Sequence, residues 1–332
     1  MRQRPVGLIA MSRSVVPAVL PPDLHARLAG AVRLAADEPA ESFADPSTRA
    51  LLGSVEILLT GWSCPPLTAR VLDDAPRLRA VIHAAGTIKG HVGPEVFARG
   101  IAVSSAADAN AGPVVDFTLA VVTIAGKQAF RLATAYAQGR IASFPERVGN
   151  DGRVVGVVGA SRIGRRVIAR LVEAGYRVLV SDPYLDRAQA AGLGAGLSDL
   201  DELCRRSDVL TLHAPQLPET DRLIDERRLA LLPDGAILIN TARGSLVDSD
   251  ALARACATGR IDACLDVTDP EPLPAGHPLF GLPNVWITPH VAGAQGTEVR
   301  RLGEFAVAEV ERFVAGQPLL GAVHADQLAL LA

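Results

Sequence analysis

Arg243, Glu271 and His290 each stand just past a short apolar run: Ala236–Asn240, Ala263–Asp266 and Val285–Thr288. If those runs are parallel strands of an open α/β sheet, their C-terminal ends are where ligands sit. An imidazole there can give or take a proton near neutral pH. A carboxylate beside it stabilises the imidazolium and fixes the ring in one orientation. A guanidinium offers a forked grip on a carboxylate and polarises a neighbouring carbonyl. Such a set suits reversible hydride transfer to a ketone, which needs a proton donor at the alkoxide in one direction and a base in the other. Taken singly, each residue has a plainer role. Arg243 fits a surface ion pair, Glu271 a loop acid among prolines, and His290 the close of a strand.

Upstream, the apolar run Val154–Val158 enters Gly159-Ala160-Ser161-Arg162-Ile163-Gly164 and then the helical stretch Arg165–Ala174. This is the dinucleotide turn G-x-G-x-x-G with serine at the middle position. Gly159 lets the chain turn tightly, and Gly164 lets the helix pack close to the strand. The helix N-terminus then offers N–H groups and a positive dipole end to a pyrophosphate. Ser161 adds a Cβ where the phosphate needs room, and its hydroxyl offers a donor to a phosphate oxygen. Asp182 closes the following strand, where a carboxylate accepts both ribose hydroxyls of NAD and repels a 2′-phosphate. The turn therefore predicts NAD as cofactor, in preference to NADP. A helix N-cap is the alternative role for Asp182.

These residues need a frame. From Val6 to about Ser105, short apolar runs (Val6–Met11, Val32–Leu34, Glu56–Thr60, Leu78–His83, Ile101–Ser104) alternate with helical stretches such as Pro22–Ala29, Thr68–Asp74 and Pro94–Arg99. That alternation predicts a doubly wound α/β unit with right-handed crossovers. A loop over Ser105–Gly112 then precedes a long apolar helix, Val114 to about Gln138, with Pro113 in its first turn. The second alternating region runs from Val154 through Val178–Ser181 and Val209–His213 to the three strand ends above. Its near-continuous apolar runs are those of parallel strands buried on both faces. A final helix is predicted over about Gly296–Ala315.

The chain has 332 residues, 49% hydrophobic and 21% charged, with a net charge of −3. That length suggests two domains. The charge gives no basic footprint for nucleic acid. No apolar run approaches the roughly 18 residues that span a bilayer. Val6–Met11 is cut short by Ser12-Arg13-Ser14 and reads as a strand, so the expectation is a cytoplasmic protein without a membrane partner. Cys64, Cys204, Cys256 and Cys264 lack CxxC spacing and read as reduced thiols, with no metal site expected.

The segments VVGVVGASRIGRRV, SDVLTLHAPQLPET, LLPDGAILINTARGSLVD, LDVTDPEPLP and NVWITPHVAGA, running from Val154 to Ala294, resemble the D-isomer-specific 2-hydroxyacid dehydrogenase family in order and spacing. The resemblance implies an α/β fold: a Rossmann-type NAD domain (113–295) inserted into a smaller flavodoxin-like substrate domain (1–112 and 296–332). It places the catalytic arginine, glutamate and histidine on Arg243, Glu271 and His290. It implies NAD contacts at Arg162, Ile163, Asp182, His213, Ala214, Pro215, Thr220, Thr241, Ala242 and Asp266, the last toward the nicotinamide carboxamide. The substrate, a small 2-hydroxy or 2-keto acid, would lie between the two domains. A homodimer through the cofactor domain and the long helix is implied as well. Where the family has backbone amides for the substrate carboxylate, this chain reads Ala85-Gly86-Thr87-Ile88-Lys89-Gly90, with Ile88 replacing a glycine and Gly90 an aspartate. The amides of Ala85, Gly86 and Thr87 are the expected substrate contacts; Lys89 reads either as a reach toward a distal anionic group or as a solvated loop lysine. An NAD-sensing corepressor without turnover is the competing reading, and the presence of all three chemical residues weighs against it.

Overall fold

Runs of valine, isoleucine and leucine form the strands, and glycine and proline punctuate them. The computed structural model describes residues 4–330, in two compact units. The first comprises the described residues of Met1–Ala111 and Ala294–Leu331, and the second is Gly112–Gly293.

In the first unit β1 (Val6–Ala10), β2 (Arg33–Leu34), β3 (Ile57–Thr60), β4 (Ala80–His83) and β5 (Ala102–Ser105) form a parallel sheet in the order β2-β1-β3-β4-β5. That is the flavodoxin-like strand order. A tail strand, Ala322–Val323, adds antiparallel to β5. Its attachment is anchored by Glu309, whose buried carboxylate accepts from Ser104 Oγ (2.6 Å) and from the amides of Leu320 and Gly321 (both 3.0 Å).

The second unit has a fully parallel sheet of β6 (Val154–Val158), β7 (Arg177–Ser181), β8 (Gly196–Leu197), β9 (Val209–Leu212), β10 (Ile237–Asn240), β11 (Asp262–Leu265) and β12 (Val285–Ile287). The order β12-β11-β10-β9-β6-β7-β8 reverses direction between β6 and β9, the switch point of a Rossmann sheet and the place where such sheets take a dinucleotide. The helix Arg162–Glu173 packs Val167, Ile168 and Leu171 against Val155 and Val157 of β6. Fully burying one such aliphatic side chain stabilises the fold by roughly 1.5–3 kcal/mol.

The expected long helix is corrected in two respects. It begins at Ala107, so Pro113 lies inside it, and it ends at Gly126. A separate helix, Ala129–Ala137, follows a turn in which Gln128 takes φ +53°. The earlier start is favoured by Ser105, whose Oγ accepts from the Ala107 amide at 3.2 Å, and Asn110 N already donates to Ala106 O at 3.0 Å. Pro113 therefore forgoes only the bond to the Ala109 carbonyl in the second turn. Ala107–Gly126 is also long and apolar enough to cross a membrane by length and composition, contrary to the sequence expectation. Here Val115, Val121, Val122 and Ala125 of that helix are buried in the second unit's core.

Candidate active site

The turn after β6 shows why glycine stands where it does. Gly159 has φ +90°, and a Cβ there would meet Ala214 N at 2.7 Å. A Cβ on Gly164 would meet the Gly159 carbonyl oxygen at 2.0 Å. Strand, turn and helix thus touch backbone to backbone, leaving the first amides of a 12-residue helix at the switch point. Ser161 caps that helix, accepting from Gly164 N at 3.4 Å, while its hydroxyl donates to His213 O at 2.8 Å. The single hydroxyl proton that the sequence offered to a phosphate is committed to the protein. Asp182, at the end of β7, accepts from Ala160 N at 2.6 Å and from Tyr184 N at 2.8 Å. Each of its oxygens keeps acceptor capacity beyond those bonds.

The segment after β9 is tightly organised. His213 is buried, bonded to Thr211 Oγ1 at 3.0 Å, and burial pushes its ring down to about 3, so it is neutral. Ala214 and Pro215 follow it against the glycine turn. Thr220 Oγ1 donates to Pro215 O (2.7 Å) and accepts from Leu217 N (2.8 Å), closing a small turn on itself.

Arg243, Glu271 and His290 come from the ends of β10, β11 and β12. Asn240 shapes the first of these turns, its Nδ2 donating to Arg243 O at 2.8 Å and its Oδ1 accepting from Ala242 N at 3.1 Å. Thr241 Oγ1 pairs with Thr118 Oγ1 at 2.9 Å. Arg243 Nη1 donates to Ala242 O at 2.7 Å; burial pushes this guanidinium's pKa down, and the negative charge of Glu271 opposes that. Gly244 is obligatory, because a Cβ there would fall on the Thr268 carbonyl group at 2.0 Å.

His290 has φ +55°, a left-handed conformation that residues with a Cβ adopt at a cost and that clusters at functional sites. Its Nδ1 lies 2.7 Å from Glu271 Oε1. A carboxylate only accepts, so Nδ1 carries the proton and Nε2 is left to exchange one with a ligand. The ring's side chain remains 50% exposed. Asp266 holds this backbone in place. Its carboxylate is almost fully buried and accepts from Thr288 Oγ1 (2.6 Å), Val291 N (2.8 Å) and Ala292 N (2.9 Å), while its carbonyl accepts from His290 N (2.9 Å).

The structure thus joins His290 to Glu271 directly and Asp266 to the backbone that carries His290. Sequence reasoning missed Asn240, Thr118 and the anchoring role of Asp266. The first was visible as an asparagine two residues before a loop amide, a common side-chain-to-backbone turn. Thr118 lies 123 residues from its partner and gave no local sign.

In the first unit, Ala85, Gly86 and Thr87 follow β4. Ser105 Oγ donates to Gly86 O at 2.6 Å, and Asn110 Oδ1 accepts from Ala294 N at 2.9 Å, where a Cβ on Gly86 would approach Asn110 Nδ2 at 3.2 Å. No group of histidine, cysteine, aspartate and glutamate able to hold a metal occurs among the described residues.

A Rossmann sheet with a glycine turn at its switch point and an acid closing β7 defines a dinucleotide-binding protein. The donor set fits NAD: a helix N-terminus for the pyrophosphate and a carboxylate for the ribose. Residues 119–292 match the family described as D-isomer specific 2-hydroxyacid dehydrogenase, NAD binding domain. The chain is 36% identical to D-3-phosphoglycerate dehydrogenase of Mycobacterium leprae over 80% of its own length and 50% of the relative's. It thus spans about half the length of that relative. It is 32% identical to glyoxylate reductase of Korarchaeum cryptofilum over 82% of its own length and 85% of the relative's. The crystal structure of the TT0316 protein from Thermus thermophilus superposes with TM-score 0.77 at 30% identity, covering 96% of this chain and 99% of that one. The chain belongs to the D-isomer-specific 2-hydroxyacid dehydrogenase family and carries its NAD-binding domain.

Proposed function

We propose that the protein reduces a small 2-keto acid to the D-2-hydroxy acid, and catalyses the reverse oxidation, with NAD(H). The observation that carries this is the 2.7 Å bond between His290 Nδ1 and Glu271 Oε1 at the ligand-bearing edge of the NAD sheet. NAD(H), held at the glycine turn and Asp182, would supply or take up the hydride at C2. His290 gives the Nε2 proton to the oxygen as the carbonyl becomes an alkoxide, and recovers it in the reverse direction. Glu271 keeps the ring oriented and stabilises its charged form. Arg243 grips the substrate carboxylate and polarises the C2 carbonyl, and partial burial leaves that attraction less screened by water. The amides of Ala85, Gly86 and Thr87 complete the carboxylate's hydrogen bonds, and Asp266 would help hold the carboxamide of the cofactor.

The assembly that goes with this activity is a homodimer. Tyr136, Ile141 and Phe144 are 69%, 71% and 83% exposed along one stretch after the long helix, a surface that a second copy would cover. A cytoplasmic location belongs to the same proposal. The decisive experiment measures NADH consumption with glyoxylate, hydroxypyruvate, phosphorylated and larger 2-keto acids. Turnover of at least one is expected. Tight NAD binding with no turnover on the whole panel would favour the cofactor-sensing alternative.

A further inference from the structure

The loop Ala85–Gly90 departs from its family, and a polar group that the chemistry above leaves unused lies against it. Thr60 closes β3, His83 closes β4, and His91 follows the loop; all three are buried. Thr60 Oγ1 is 2.9 Å from His83 Nδ1 and 3.2 Å from His91 Nε2, and the two rings tilt across each other with centroids 4.4 Å apart. Burial pushes His83 down to about 3 and His91 to about 4, so both rings are neutral and each carries one N–H. Thr60 Oγ1 also lies 3.5 Å from Ile82 O. Its hydroxyl thus bridges the residue two before the loop and the residue just after it.

The same chain residues close the loop at its far end, where the His91 and Val92 amides donate to Ile88 O at 3.1 and 2.9 Å. Between these two fixed points, the amides of Ala85, Gly86, Thr87 and Ile88 have no protein acceptor among the described residues. Successive backbone N–H groups without partners are an anion-binding arrangement. Apolar side chains would fill the same buried space without needing three matched partners, so the polar group has a use beyond packing.

We propose that the Thr60 hydroxyl, bridging the His83 and His91 rings at the two ends of the Ala85–Gly90 loop, holds the Ala85–Ile88 backbone as the carboxylate-binding rim of the substrate site, with Thr60 as its positioning residue. This rests on the reaction proposed above. Thr60→Val keeps the shape and removes the hydroxyl. The expected result is a rise in KM for glyoxylate or hydroxypyruvate of roughly tenfold, the size of one lost hydrogen bond, with kcat and KM for NADH changed less than twofold. Thr60→Ser should restore the wild-type KM. An unchanged KM for the keto acid in a folded Thr60→Val protein, or an equal rise in KM for NADH, would overturn the proposal. Nitrogen-15 NMR tests the bridge without turnover: shifts of both His83 Nδ1 and His91 Nε2 between wild type and Thr60→Val support it, and unchanged ring nitrogens overturn it. A wild-type protein inert toward every 2-keto acid would instead refute the reaction, while the ring-nitrogen shifts still decide the Thr60 bridge.

Discussion

The two units use the C-terminal ends of their parallel strands in opposite ways. In the second, β10, β11 and β12 end in side chains that reach outward, and His290 keeps half its side chain exposed. In the first, β3 and β4 end in Thr60 and His83, which turn inward and are buried, while the loop above them presents backbone amides. Chemistry performed by side chains needs particular residue types at particular places. Recognition performed by backbone needs only a conformation, which many sequences can hold. On the proposed function, one site is therefore written in the residues themselves and the other in whatever supports the loop.

The largest test of this contrast falls on the side-chain half. His290→Ala removes the proposed proton donor and should lower kcat by about 100-fold to 10⁴-fold, the range of general acid–base assistance. Steady-state kinetics with the best 2-keto acid gives the answer, and near-normal turnover would break the assignment. Glu271→Gln keeps a hydrogen-bonding partner but not its charge, so its loss should be smaller and confined to kcat.

Asp182→Ala is expected next in size. The carboxylate's proposed bonds to the ribose hydroxyls are charge-assisted and worth roughly 1.5–3 kcal/mol each, so KM for NADH should rise by about ten- to a hundredfold. Discrimination against NADPH should shrink at the same time, because the repulsion of a 2′-phosphate goes with the charge. Side-by-side kinetics with NADH and NADPH measures both. An unchanged preference would mean that the bonds to Ala160 N and Tyr184 N are all that Asp182 does.

How much of this was visible in the sequence follows the same division. Arg243, Glu271, His290 and the Gly159–Gly164 turn lie in short segments whose spacing states their geometry, and the structure keeps every one of them at a strand end. The chain His91–Thr60–His83 was not legible, since its members are separated by 31 and 23 residues and meet only when β3 and β4 pair. The start of the long helix at Ala107 was hidden because Pro113 mimics a first-turn proline, and only the cap from Ser105 Oγ shows otherwise. The tail strand Ala322–Val323 is two residues long, too short for any alternation to register.

Buried neutral histidines also separate the units under acid. His83 and His91 are pushed down to about 3 and 4 in the first unit, and His213 to about 3 in the second, all by burial first. Unfolded, each ring takes up a proton below about 6.5, whereas folded it does not until pH approaches 4 or less. The unfolded chain then binds more protons, so stability falls as pH drops from about 6.5 toward 4. The loss approaches 1.4 kcal/mol per pH unit for each histidine, with two shares in the first unit and one in the second. Urea midpoints measured between pH 6.5 and 4.5 should decline accordingly. Hydrogen exchange should locate the earlier opening in the first unit, and equal acid sensitivity of the two would count against the buried neutral pair.

The smallest expected effect is at Ser161, and it bears most directly on how the second unit binds its cofactor. A serine at the middle glycine looks like an obstruction to phosphate, or like a compensating donor. Its hydroxyl proton instead goes to His213 O, and its oxygen caps the Gly164 amide. Ser161→Gly deletes the cap at a cost of only a few tenths of a kcal/mol, because glycine is itself tolerated at that position. It also leaves the His213 carbonyl without that donor. KM for NADH should therefore change less than threefold, and the melting temperature should drop slightly. A tenfold rise in KM would show that the hydroxyl turns from His213 to a phosphate oxygen when the cofactor binds, making the second unit's turn a side-chain donor rather than a purely backbone one.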